Sequence, residues 1–249
     1  MDLSGTVAVV TGASRGIGRS IVERYAEEGA NVVATARSAD QLETLVDAHP
    51  ESVVAEPADI RRAAEVEAVI DTALERFGGV DVLVNNAAVG LLSLQSELKP
   101  VHRIEPEEWA TVLETNLTGA FLCLRYALPS MIERDSGDVV NVSSAYGKHG
   151  EAGWGPYVSS KHGLEGLTET VALEHADDGI NANAITPAGS TNTGFWDTDE
   201  KRSHLPPAER EAVQDPDVMD EAAVLLAAQG PDGVSGESMS APEWEARLR

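Results

Sequence analysis

Cysteine is all but missing from this chain: Cys123 stands alone, so no intramolecular disulfide can form. Its surroundings, Ala120-Phe121-Leu122-Cys123-Leu124, read as the core of a helix, where a thiol packs as a small apolar group. Lysine is scarce too, limited to Lys99, Lys148, Lys161 and Lys201, while Asp plus Glu outnumber Lys plus Arg by 42 to 18. The resulting formal charge of -24 repels polyanions, which argues against nucleic acid and anionic membrane surfaces as partners. No apolar run approaches the roughly 18 residues that a membrane-spanning helix needs. Met1-Asp2-Leu3-Ser4-Gly5 has no basic stretch followed by an apolar one, so a cytoplasmic location is expected. Repeats, low-complexity tracts and linkers are lacking as well. Residues 1–249 therefore read as one domain with enough length for a full core.

The acidic, lysine-poor composition is similar to that of proteins from salt-accumulating halophiles, in which concentrated cations screen the repulsion between carboxylates. A requirement for high salt is expected on that ground.

What is present alternates between short apolar runs and amphipathic stretches. Strands are expected at Thr6 to Thr11, Asn31 to Thr35, Ser52 to Glu56, Val80 to Asn85, Gly137 to Ser144, Ile180 to Thr186 and Gly236 to Ala241, with helices between them. That order predicts an α/β fold, a doubly wound parallel sheet of Rossmann type with helices on both faces. The long helical run from Glu107 to about Arg134 contains Asn116; a buried mid-helix asparagine calls for a local distortion or a bound water. Asp217 to Gln229 reads as the last helix, and Pro242 to Arg249 as a charged tail.

Between the first strand and its helix lies Thr11-Gly12-Ala13-Ser14-Arg15-Gly16-Ile17-Gly18, a turn whose glycines let backbone N–H groups and a helix N-terminus approach a pyrophosphate. The tip of the second strand then selects the cofactor. An NAD site wants a carboxylate about twenty residues beyond the glycines for the ribose hydroxyls, whereas NADP wants that charge absent and cations present. Here the tip reads Thr35-Ala36-Arg37, so a 2′-phosphate would meet Arg37 and Arg15, and NADP(H) is expected over NAD(H). Asp40 lies in Ser38-Ala39-Asp40-Gln41, a capping-box pattern. Asp59, after the third strand, suits a helix N-cap, a contact to an adenine amino group, or both. Asn85-Asn86-Ala87-Ala88 ends the fourth strand with groups that let the backbone pass close to a ligand.

Tyr157-Val158-Ser159-Ser160-Lys161 carries the chemistry. In a helix Tyr157 and Lys161 share one face, and a close ammonium is expected to pull the phenol below its usual value of about 10. Such a tyrosine exchanges a proton with a carbonyl or alcohol oxygen that Ser144 would hold by hydrogen bond. The stretch from Ala188 to Gln214, rich in Gly, Thr, Pro and charge with Phe195 and Trp196 as its large apolar side chains, reads as a substrate lid. Trp154 suits either a substrate contact or packing.

Together Thr11 to Gly18, Asp59-Ile60, Asn85-Asn86-Ala87, Asn116, Ser144, Tyr157 and Lys161 resemble, in order and spacing, the short-chain dehydrogenases/reductases over nearly the whole chain. The resemblance implies hydride transfer between NADP(H) and a small-molecule ketone or secondary alcohol. It makes Tyr157 the general acid/base, Ser144 the substrate anchor, Lys161 the ribose ligand and Asn116 the holder of a relay water. It also extends the cofactor-binding set to Gly12, Ser14, Arg15, Gly16, Ile17, Gly18, Arg37, Asp59, Ile60, Asn86, Tyr157, Lys161, Pro187 and Ser190, with no metal. A 3-oxoacyl thioester is the expected substrate and a sugar or small alcohol the alternative; a dinucleotide sensor without catalysis is the alternative of another kind. A homo-oligomer, dimer or tetramer, is implied. Departures from the family pattern fall at Ala88, where glycine is usual, at Pro187-Ala188, and at Glu237 to Ala241, where a D-G-G is missing.

Overall fold

A computed structural model describes residues 1–94 and 97–249; Gln95 and Ser96, in the polar loop expected ahead of Pro100, lie outside the described residues. Seven parallel strands form one sheet in the order β3-β2-β1-β4-β5-β6-β7: β1 (Val7–Thr11), β2 (Asn31–Thr35), β3 (Val53–Ala55), β4 (Val82–Asn85), β5 (Gly137–Val142), β6 (Ile180–Thr186) and β7 (Ser238–Ser240). The helices between them are α1 (Gly16–Glu27), α2 (Ala39–Ala48), α3 (Ala63–Phe77), α4 (Pro106–Leu113), α5 (Gly119–Glu133), α6 (Gly155–Glu174), α7 (Asp199–Arg202), α8 (Pro207–Glu211), α9 (Asp220–Ala227) and α10 (Ala241–Leu248). No described helix is long and apolar enough to cross a membrane.

Each central strand buries both faces, which is why these segments read as continuous apolar runs and not as alternation. Ala8, Val10, Val32 and Val84 meet Ile21 and Tyr25 of α1, Leu42 and Leu45 of α2, and Leu226 of α9. Val7, Val9, Val33 and Leu83 meet Val66 and Ile70 of α3 and Leu124 and Met131 of α5. Cys123 is in that second layer, where burial pushes its thiol up to about 12 and makes it unreactive.

Asn116 does distort its helix. Residues Glu114–Thr118 form a π-turn joining α4 to α5, because the buried amide is drawn to partners outside the helix. Two other expectations need correcting. Ser38 is the N-cap of α2 but makes no side-chain capping bond, so the capping box at Asp40 does not form. The supposed charged tail is α10: Ser240 and Glu243 close a capping box, and Trp244, fully buried, donates from Nε1 to Ala184 O at 2.9 Å. Among charged residues Trp244, with Leu248 also packed against the core, turns this segment inward, so Asp217 to Gln229 is not the last helix.

One buried carboxyl underlies a stability prediction. Asp138 in β5 accepts from Asn181 Nδ2 at 2.8 Å, and burial pushes its pKa up to about 7, with Asp81 adding repulsion. Its folded value is above the unfolded one, so the native state holds the extra proton between about 4 and 7 and loses stability as pH rises through that window. Asp138→Asn, neutral throughout, is expected to flatten the decline in melting temperature over that range and to match or exceed the parent at pH 8. A thermal melt series from pH 4 to 8 checks it.

Candidate active site

The sheet order reverses between β1 and β4, and the carboxyl ends of the strands on either side of that point open on a cavity of about 1010 Å³. Gly12, Ser14, Arg15 and Ile17 line it from the turn before α1. Gly12 has φ +66°, and a Cβ there would meet Ala87 Cα at 2.8 Å; one on Gly18 would collide with Asn86 Nδ2. The contact is close because the two loops are tied together. Thr11 Oγ1 accepts from the backbone N–H of Asn86 at 3.0 Å and of Ala87 at 3.1 Å, and Asn86 Nδ2 donates to Thr11 O at 2.8 Å. Gly18 thus shapes the turn from behind, Gly16 faces Thr193 of the segment after β6, and neither glycine lines the cavity.

The first turn of α1 has no acidic residue and no side-chain cap, so its N–H groups and positive helix end face the cavity in the manner that suits a pyrophosphate. The cradle therefore fits a dinucleotide. Beyond it Arg37 is exposed at the cavity wall, while Asp40, in the first turn of α2, does not line it. Asp59 also lines the cavity, yet it is not a helix N-cap; Arg62 takes that position for α3. Its carboxylate is held by Arg61, whose Nε donates to both oxygens at 2.9 and 3.0 Å, and the Arg61 hydrogen bonds keep Asp59 down at about 2. Arg61 is a cavity residue that the sequence reading missed, although its place two residues past Asp59 is the spacing of such a fork.

On the other side of the switch point, β5 ends at Val142 and Ser144 lies just past it, capping a short 3-10 turn by accepting from Tyr146 N at 3.2 Å. Tyr157 is in the first turn of α6, and its phenol faces the cavity near the Ser144 hydroxyl, which favours the charged form of the phenol. Lys161, one turn on and buried, passes within 5.7 Å of the Tyr157 ring centroid and donates from Nζ to Val142 O at 2.6 Å. Three expected residues thus meet at one end of the cavity.

The direction of the phenol shift is the reverse of the expected one. Burial pushes Tyr157 up to about 12, against the pull of the Ser144 hydroxyl and with Tyr146 adding to the rise. Burial likewise pushes Lys161 down to about 8, with Glu165 opposing. Desolvation outweighs the attraction of the pair because the aromatic walls leave little water to stabilise either charge.

Asn116 is set back from the cavity. Its Oδ1 accepts from Val89 N at 2.8 Å, and its Nδ2 donates to Val89 O at 2.9 Å and Ser160 Oγ at 3.0 Å, tying the loop after β4 to the helix that carries Tyr157. Pro187 and Ser190 line the cavity from the segment after β6, as do Ile60 and Ala88.

That segment folds down over the strand ends. Asn192 N donates to Gln214 O at 2.7 Å and Gln214 N to Ser190 O at 2.8 Å, pinning the base, and Arg15 reaches Asp197 at 3.4 Å. Phe195 and Trp196 point inward. The Trp154 ring lies 5.4 Å from Tyr146, 5.6 Å from Tyr157, 6.2 Å from Phe195 and 5.7 Å from Trp196, so it is both packed and a cavity wall. This aromatic enclosure was not legible beforehand, since its members are spread from residue 146 to residue 196. Among the described residues no cluster of His, Cys, Asp and Glu could hold a metal ion.

A family model described as short chain dehydrogenase matches residues 6–203. The chain is 37% identical over 199 residues to the 3-oxoacyl-[acyl-carrier-protein] reductase FabG of Vibrio cholerae, covering 80% of this chain and 77% of that protein. It is 34% identical to glucose 1-dehydrogenase 2 of Bacillus subtilis, covering 96% and 93%. A crystal structure from Agrobacterium tumefaciens, described as that of a proposed gluconate dehydrogenase, superposes with a TM-score of 0.83 at 32% identity, covering 96% of this chain and 95% of the other.

Proposed function

Because the chain belongs to the short-chain dehydrogenase family, whose members act on CH–OH groups, we propose that it transfers hydride between NADP(H) and a ketone or secondary alcohol, with Tyr157 as the general acid/base. The observation that carries this reading is the meeting of Ser144 and Tyr157 beside the buried Lys161, in a cavity that runs on to the glycine turn. A dinucleotide sensor would need neither hydroxyl. Bound at the glycine turn, NADP(H) would supply the hydride donor or acceptor. Gly12, Ser14, Arg15, Gly16, Ile17 and Gly18 shape its pyrophosphate site, with Asn86 bracing the turn from β4, and Arg37 takes the 2′-phosphate. Asp59 and Ile60 border the adenine, and Pro187 and Ser190 close the nicotinamide end, where Lys161 holds the ribose.

The two hydroxyls converge on one substrate oxygen. Ser144 donates to it, and Tyr157, which keeps its proton far above neutral pH, gives that proton as negative charge builds there. Asn116 acts through others: its amide fixes Val89 and Ser160, and the π-turn around it would position the relay water. The segment from 188 to 214 serves as the lid.

The FabG relatives support a 3-oxoacyl thioester as substrate, and the glucose dehydrogenase supports the sugar alternative. Exposed Phe121, Trp109 and Leu173, at 47, 38 and 81%, give α4, α5 and α6 apolar contact surface that supports a homo-oligomer.

Cofactor choice is tested by Arg37→Asp. Losing a charged phosphate partner and gaining an acid beside the ribose should move the NADP-to-NAD ratio of kcat/KM toward NAD by on the order of tenfold or more. An unchanged ratio would show that Arg37 does not meet the phosphate.

A further inference from the structure

The substrate end of the cavity differs in charge from the cofactor end. Arg37 and Arg61 line the wall past the tips of β2 and β3, while Glu151 and Glu209 line the aromatic end. Both glutamates are exposed, and their charges reach the Tyr146 phenol, which they and burial hold above its ordinary value. The polar contact to the Glu209 carboxylate is a long one from Ser190 Oγ, 3.5 Å. His149, edge-on to Tyr146 at 5.8 Å, lines the same end. Arg15 comes near through Gly194 but is paired with Asp197, and Lys161 lies beneath Tyr157 with its ammonium turned to Val142 O. The walls themselves are the rings of Tyr146, Trp154, Tyr157, Phe195 and Trp196.

Resting on the reductase reading above, we propose that the substrate is a compact carbonyl compound with an aromatic or apolar body and a cationic group at its outer end, and that anionic carbonyl compounds are rejected. Ring faces attract a cation and stack against an apolar body, two carboxylates at the mouth stabilise the same charge, and both features work against an anion. A carbonyl compound with an anionic outer end would bring its charge to Glu151 and Glu209, which selects against it.

The test uses acetophenone and its 4-trimethylammonio and 4-carboxylate derivatives, which share a reacting ketone and differ in charge. Each is measured twice: as kcat/KM in NADPH oxidation, and as Kd from quenching of tryptophan fluorescence in the enzyme without cofactor. The expected order in both is cation, neutral, anion, with roughly tenfold between steps. In the double variant Glu151→Gln, Glu209→Gln the advantage of the cation over the neutral ketone should fall to the smaller share that the ring faces supply. Anion binding as tight as cation binding would overturn the proposal. So would a cation advantage that is undiminished in the double variant, since the two carboxylates would then contribute nothing to it. Ordered Kd values with no turnover of any ketone would instead sink the reductase reading and leave the charge selectivity standing.

Discussion

Tyr157→Phe is expected to lower carbonyl reduction by roughly a hundred- to ten-thousand-fold, the usual worth of a positioned acid or base, while NADPH binds nearly as tightly as to the parent. The substitution removes one hydroxyl and keeps the ring, so Trp154, Tyr146 and Phe195 retain their packing partner and the enclosure persists. What goes is the hydroxyl whose proton is held at about 12. Steady-state turnover together with NADPH titration by fluorescence checks both halves, and turnover within about tenfold of the parent would remove Tyr157 from its role.

Salt is expected to have an effect of similar size. The four lysines are already committed in the fold. Lys99 pairs with Glu108, Lys201 with Asp197, Lys148 donates to Ser238 O, and Lys161 is buried. Arginine is left to offset the surplus carboxylates, and several of its ion pairs, such as Arg19–Glu23 and Arg62–Glu65, are short-range pairs along one helix that contribute little. At about 0.1 M salt the screening length of about 10 Å leaves neighbouring surface carboxylates coupled; at molar salt it falls to about 3 Å. Folding concentrates these charges, so screening should stabilise the native state more than the unfolded chain. Melting temperature and NADPH turnover should therefore rise together from dilute buffer toward roughly molar KCl. A protein equally stable and active in dilute buffer would defeat the halophilic reading without touching the dehydrogenase assignment.

The two predictions draw on different levels of information, and so do the fold and the site. Strand positions were legible because parallel strands buried on both faces write themselves as unbroken apolar runs, and β2 and β6 fall where those runs do. The glycine turn was legible because close approach to Asn86 and Ala87 leaves no room for a Cβ at Gly12 or Gly18, a demand local enough to show as residue type. Asn116 announced its π-turn in the same way, by placing a polar group where a helix interior offers no partner. Ser144, Tyr157 and Lys161 could be singled out by their spacing taken together with the glycine turn near the N-terminus. Their electrostatics could not: the phenol is raised and not lowered because desolvation comes from aromatic rings contributed by the loop after β5 and by the segment after β6, brought together only by the folded sheet. The same holds for α10, read from its charges as a tail. Charge decides how a segment behaves in water, but one buried ring donating to Ala184 O decides where this one lies, and the groove that receives it exists only when α9, β6 and β7 are in place.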